Sequence, residues 1–250
     1  VSPRRATGVL VVLTIMVIAM GGMIRIYDAG ESCPDWPTCF GTFGFDISEE
    51  EQEEWWDENP DEADSRGSGH RYTSFQIFTE WFHRLLAGAL VGPLVIVNWF
   101  LVRKEIWNSP RVRGVSSLTL ALILWQGAIG WLTVKFDNEN WSVAIHLGSA
   151  MAFLMSLIWL WMEIRRDEED LPNWISFDPL VGMKWKKWIG ILSFSTLITL
   201  FSGVYVSTTP GANYGCGVGG MLESWPLCNG KLIQGVDCLL YTSDAADDDA

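Results

Sequence analysis

Long apolar runs alternate along this chain with shorter polar connections. Five of the runs, Thr7 to Tyr27, Phe75 to Val102, Val115 to Val134, Trp141 to Glu163 and Trp188 to Thr208, reach the about 17–25 residues that a helix needs to cross a bilayer. They predict an all-α integral membrane protein. The first run is long and has no small-residue cleavage site before Arg25, so it reads as a retained helix rather than a secretory signal.

The second run is interrupted by Glu80-Trp81-Phe82-His83-Arg84. A charge near the centre of a bilayer costs about 2.5–3.5 kcal/mol even on the lenient insertion scale, so ionisable groups kept in a span usually face protein and do a job. On a helix Glu80 and His83 share a face, with Arg84 beside them. Imidazole is a common ligand for transition metals and heme iron, and a nearby carboxylate suits a base, a proton relay or a stabiliser of developing positive charge. The fourth run holds His146 about five residues from its start, against about eight for His83, so at about 1.5 Å per residue the two imidazoles lie at similar depth. That is the geometry for gripping one heme from two faces. The structural alternative is that both histidines are hydrogen-bonded packing residues.

Composition agrees with a membrane protein: 250 residues, 49% hydrophobic, 15 Trp and a positive mean hydropathy of +0.18. Eleven of the 17 Lys and Arg residues fall in the amino-terminal tail (Arg4, Arg5), the second-to-third connection (Arg103, Lys104, Arg111, Arg113) and the fourth-to-fifth connection (Arg165, Arg166, Lys184, Lys186, Lys187). The positive-inside rule makes that side the cytoplasm and predicts a multi-pass protein of the cell membrane with a cytoplasmic amino terminus. All five cysteines then lie outside, where disulfides persist. Cys33 and Cys39, in Cys33-Pro34-Asp35-Trp36-Pro37-Thr38-Cys39-Phe40-Gly41, are expected to form a short-range disulfide, because a metal site would need further ligands and none is near. From Asp46 to Asp64 the outer loop is acidic, and within a net charge of −13 this run is expected to be solvated and mobile, attracting neither nucleic acid nor an anionic lipid surface. His70 is expected at the surface, and Arg25 either snorkels to the headgroups or meets an anionic ligand. In the third run, Gly127 and Gly130 let another backbone or a flat ligand come close.

Trp36-Pro37-Thr38-Cys39-Phe40-Gly41 returns as Trp225-Pro226-Leu227-Cys228-Asn229-Gly230, and each follows an apolar run with glycine near its outer end (Gly22, Gly203). The chain thus predicts a tandem four-helix-bundle repeat, its first bundle complete and its second truncated after one helix. The expected divisions are 1–170 for the first half with its outer loop 28–74, 171–187 for a cytoplasmic connection, and 188–237 for the first helix and outer loop of the second half. The last stretch, 238–250, resembles a translated sequencing adapter and is expected to be a non-native tail, the natural protein continuing with further helices.

Cys-Pro-Asp-Trp-Pro-x-Cys-x-Gly after the first span, Glu-x-x-His-Arg in the second, Gln-Gly-x-x-Gly-x-x-Thr-Val in the third and an early histidine in the fourth, in that order, resemble the heme A synthase family from about Gly8 to Gly230. The resemblance implies a membrane oxidoreductase of eight helices in two halves, converting the C8 methyl group of heme o into the formyl group of heme a for terminal oxidases. It implies that His83 and His146 flank the iron of heme o and that Glu80 is the catalytic carboxylate. It gives Arg84 a part in positioning the substrate, with a Glu80 salt bridge as the structural alternative. It makes Cys33, Cys39, Cys216 and Cys228 loop disulfide residues, and puts a heme b cofactor in the second half, whose two expected histidines do not occur after His146. The partners it implies are heme o, heme o synthase and an electron-transfer protein, within membrane lipid and with no nucleic acid; it is compatible with a homo-oligomer.

Two other classes of function use the same residues. A membrane b-type cytochrome would carry electrons between the same histidines and have no use for Glu80. A transporter or scaffold would use Glu80, His83 and Arg84 as a proton relay or packing network and bind no heme.

Overall fold

The computed structural model describes residues 2–62, 66–106, 108–172 and 179–208. Among these residues every named element is helical, with no named strand. Its α-helices are α1 (Pro3–Ile26), α2 (Glu49–Glu58), α3 (Ser74–Arg84), α4 (Gly92–Glu105), α5 (Pro110–Lys135), α6 (Asn140–Asp167) and α7 (Pro179–Thr208). A 3-10 turn covers Pro60–Glu62, and a π-helical segment, Leu85–Val91, joins α3 to α4 without a break. Four continuous helices of the described residues are long and apolar enough to cross a membrane: α1, Ser74–Glu105, α5 and Trp141–Asp167. They correspond to the first four apolar runs. α7 covers the fifth and meets α6, where a Cβ on Gly148 would lie 3.6 Å from the Phe201 ring. The outer loop of the second repeat, with Cys216 and Cys228, and the tail lie outside the described residues.

Helix starts follow local chemistry. Pro3 and Pro110 occupy first-turn positions of α1 and α5, where a missing N–H costs no helical bond. Thr73 and Gln76 form a reciprocal capping box at α3. Gln76 also donates from Nε2 to the Tyr27 carbonyl at 3.1 Å, tying the start of the second span to the end of the first. The π-helical segment has its reason in Pro93, whose ring would collide with the carbonyl four residues back in a regular α-turn. The wider turn ends with Gly92 N–H donating to Ala87 O, and such bulges often mark functional sites.

Packing separates the bundle into layers. Leu10, Val91, Val95, Phe153 and Leu157 form its middle, and Val102, Val112, Val115, Leu160 and Ile164 form the end remote from the cysteine loop. Between the layers the buried Asn98 donates to Thr7 Oγ1 at 3.0 Å, an interhelical bond of the kind that holds helices together where hydrophobic burial gives no preference. Val9, Val12, Ile15 and Met16 on α1 stay exposed, as a lipid-facing surface requires.

Much of the described part of the acidic run is helical, where its charge suggested a solvated, mobile loop. It forms α2, opened by a second capping box in which Ser48 and Glu51 exchange bonds. Gln52 and Trp56, four residues apart, share the buried face while the glutamates face outward. Trp56 packs in a cluster with Cys33, Cys39, Phe40, Ile47, Tyr72 and Ile77. Gln52 donates to Tyr72 O at 3.0 Å and accepts from Tyr72 N at 2.8 Å. Two tryptophans and one amide thus outweigh the mutual repulsion of the carboxylates.

Gln52→Ala removes both of these buried bonds, each worth about 1–3 kcal/mol when its partner is left unsatisfied. It is expected to release α2, giving faster cleavage by a glutamate-specific protease with unchanged helical circular dichroism, whereas Glu50→Gln should leave the cleavage rate of the segment near that of the parent.

Candidate functional site

Four of the predicted residues, Glu80, His83, Arg84 and His146, come together at the cysteine-loop end of the bundle. Their placement begins with the loop itself. Cys33 and Cys39 are bonded to each other, closing a ring that Asp35 braces from within: its Oδ2 accepts from Thr38 Oγ1 and from Gly41 N, the latter at 3.1 Å. Phe40 and Gly41 both have positive φ, and Cys39 and Thr42 exchange backbone bonds across them. This is the two-residue reversal in which both central residues are left-handed, so glycine at the second position has a conformational reason.

Glu80 lies beneath the loop, 4% exposed. Its Oε2 accepts from Cys33 N at 2.9 Å and stands 3.0 Å from Ser32 Oγ, while its Oε1 accepts from Arg84 Nη2 at 2.6 Å. Arg84, one turn further along α3, also donates to the carbonyls of Cys33 (2.6 Å), Asp35 (2.5 Å) and Thr38 (3.2 Å). Four of the five guanidinium N–H groups are thereby committed, leaving the Nε–H for any other partner. A buried ion pair is tolerated only when its remaining hydrogen-bonding capacity is filled. Here the backbone of the disulfide ring fills it.

His83 points to α1, where a Cβ on Gly21 would lie 3.4 Å from its Cε1. The ring lies near the Val17 backbone and within electrostatic reach of His146. His146 in turn faces α5, where a Cβ on Gly130 would come within 3.1 Å of its Cε1. Each histidine retains a buried Nδ1 with no hydrogen-bond partner. Gln126 steadies the backbone beside His146, donating to its carbonyl at 2.9 Å and accepting from Ser149 Oγ at 2.5 Å. Asn138, left-handed in the tight α5–α6 turn, donates to Gly30 O at 3.0 Å and joins that turn to the cysteine loop. His70 stands apart, half-buried against Arg66 and Tyr72.

The arrangement narrows the chemistry. Among the described residues no three His, Cys, Asp or Glu side chains gather to hold a bare metal ion. Two imidazoles are too few for a structural metal site but suffice as axial ligands of a porphyrin iron. The two unpartnered buried nitrogens fit such a ligand, and the two glycines let the backbones of α1 and α5 close directly onto the histidine rings. The sequence had singled out the ionisable residues and Gly130. It had placed Gln126 within a family motif and Gly21 in a diglycine suited to close helix packing, and had given no part to Ser32 or Asn138, because lone polar residues beside a loop carry no periodicity.

Comparison with known proteins follows the same line. Residues 4–246 match the COX15-CtaA family, described as cytochrome oxidase assembly protein. Proteins named Heme A synthase are similar: one from Shewanella oneidensis is 31% identical over 157 residues, covering 63% of this chain and 44% of its own length. Those from Shouchella clausii and Erythrobacter litoralis are 25% and 28% identical, covering 89% and 88% of this chain and 62% and 65% of their own. The chain therefore spans about half to two thirds of the length of these relatives. No solved structure matches.

A Cβ within 3.1 Å of the His146 ring is closer than such contacts normally stand. Gly130→Ala is expected to displace the imidazole and shift its ring nitrogen resonances, whereas Gly127→Ala, with nothing within 4 Å of the added carbon, should leave them in place; nuclear magnetic resonance of ¹⁵N-histidine-labelled protein reads the difference.

Proposed function

The chain belongs to the COX15-CtaA family of cytochrome oxidase assembly proteins, and we propose that its described helices form the substrate half of a heme A synthase, the site at which the C8 methyl group of heme o becomes the formyl group of heme a. The observation that carries this reading is the meeting of two histidines that each keep an unpartnered ring nitrogen with an ionisable carboxylate, Glu80, on the same helix as one of them. In this reading His83 and His146 hold the iron of the substrate from α3 and α6. Gly21 and Gly130 let the rings lie directly against the backbones of α1 and α5.

Glu80 is the catalytic carboxylate. Its negative charge favours positive charge developing at the oxidised methyl carbon, or it takes a proton from the water attacking that carbon. Arg84 keeps that carboxylate in place and anchors it to the disulfide ring, so its part in the reaction is positioning. Its Nε–H is the donor that remains for a propionate. The membrane-spanning helices support residence in a membrane, and the clustering of Lys and Arg supports a cytoplasmic amino terminus with the cysteine loop outside. Heme o synthase as the supplier of substrate, an electron-transfer partner and heme b in a second half belong to the same proposal.

The electron-carrier alternative separates at Glu80. In the whole protein, expressed in a host that makes heme o, Glu80→Gln is expected to keep bound heme o and lower heme a formation at least a hundredfold, the scale of losing one positioned charge in a buried site. His83→Ala and His146→Ala should each lose heme o, read by extraction and chromatography of the bound heme. Undiminished heme a formation by Glu80→Gln would reject the catalytic assignment, and heme b alone at this site would favour the cytochrome.

A further inference from the structure

Ser32 is fully buried at the entry to the disulfide ring. Its Oγ lies 2.8 Å from Ala29 O, 3.0 Å from Gln76 O and 3.0 Å from Glu80 Oε2. A hydroxyl has one proton, so three acceptors compete for a single donor. Two of them have other donors: Ala29 O accepts from Ser32 N at 3.3 Å, and Gln76 O accepts from Thr79 Oγ1 at 2.8 Å. Neither carbonyl depends on the hydroxyl, which is therefore available to the carboxylate.

The partners of Glu80 differ in kind. Cys33 N–H and Arg84 can only donate, whereas a serine hydroxyl donates or accepts. When Glu80 is ionised, Ser32 donates to Oε2. When Oε2 carries a proton, that O–H can donate to Ser32 Oγ, and the serine proton turns to the carbonyl of Ala29 or Gln76, both already within reach. Each form leaves the hydroxyl and the carboxyl oxygens bonded, and when the carboxyl group gains a proton from a donor such as the attacking water, or loses it, the only rearrangement is the rotation of the serine O–H. An unsatisfied buried polar group costs about 1–3 kcal/mol. Ser32 removes that cost from both states.

We propose that Ser32 is the positioning residue of Glu80, a reversible hydrogen-bond partner through which the buried carboxyl group holds or gives up a proton while the disulfide ring and α3 stay where they are. This rests on the reading of Glu80 as the reactive carboxylate. It adds that the residue just ahead of the cysteine ring, outside the spans, decides how that carboxylate performs.

Infrared spectroscopy of the whole protein, purified in detergent with ¹³C-labelled glutamate and no substrate, tests it directly. The Glu80 band is assigned by its loss in Glu80→Gln. Because the carbonyls of Ala29 and Gln76 keep their other donors, Ser32→Ala disturbs Glu80 alone and is expected to fold. Its Glu80 band should be displaced beyond the wild-type width, while Ser32→Thr, which keeps the hydroxyl, should restore it. In turnover, Ser32→Ala is expected to slow heme a formation about tenfold or more, with heme o still bound and with rescue by Ser32→Thr. A Glu80 band unmoved in Ser32→Ala overturns the proposal, whatever the turnover. A band that moves and is restored by threonine supports it even if Glu80→Gln leaves turnover intact, a result that would reject the catalytic reading of Glu80 and leave its pairing with Ser32 standing.

Discussion

The buried pair of Glu80 and Arg84 is the constraint around which this end of the molecule is arranged. A carboxylate and a guanidinium removed from water lose several kcal/mol of hydration each, and their 2.6 Å contact alone does not return it. The deficit is met by a ring of backbone: one amide and three carbonyls between Cys33 and Thr38, with Ser32 beside them. The loop could not present those groups without being closed and turned, which the Cys33–Cys39 bond, Asp35 and the Phe40–Gly41 reversal accomplish. Loop and ion pair are therefore one unit, each satisfying polar groups that the other would leave bare.

The pair also fixes the helices. Glu80 and Arg84 are successive turns of α3, so holding both holds the rotation of the helix about its axis, and with it the direction of His83, which lies between them in sequence. Gln76 does the same at the first turn by bonding the end of α1. On the other side of the site, Gln126 and Ser149 hold the backbone at His146, and Asn138 ties the α5–α6 turn to Gly30. The two histidines are thus mounted on separate helix pairs that meet through the cysteine loop. The glycines opposite them leave the rings as the inward limit of each pair.

Much of this was legible in the sequence. Apolar runs gave the spans to within a few residues at most of their ends, because length and hydropathy dominate where lipid is the solvent. Glu80, His83 and Arg84 stood out because charge in such a run is expensive, and the paired cysteines because the distribution of Lys and Arg suggested a side where disulfides persist. The order in residues 49–58 was not legible: charge argued for a solvated coil, and only the tertiary contacts of Gln52 and Trp56 reveal an amphipathic helix. Nor could Ser32 be chosen, since its part depends on three oxygens brought together from separate segments of the chain. The π-helical turn before Pro93 followed from a rule that the sequence contained, though a proline within a span predicts a distortion without saying which.

In the proposed reading a large flat ligand would need space between the two imidazoles, and space in a helix bundle weakens packing. The chain keeps two apolar layers, Leu10 to Leu157 and Val102 to Ile164, down the bundle, and a third apolar cluster around Trp56 beneath the cysteine loop. Near the histidines, directed bonds from Gln76, Gln126 and Asn138 add to that packing. A short disulfide ring, rather than another helix, covers Glu80. A helix has few backbone groups to spare beyond its ends. An irregular ring can turn an amide to the carboxylate and carbonyls to the guanidinium at once, which is the combination that this buried pair requires.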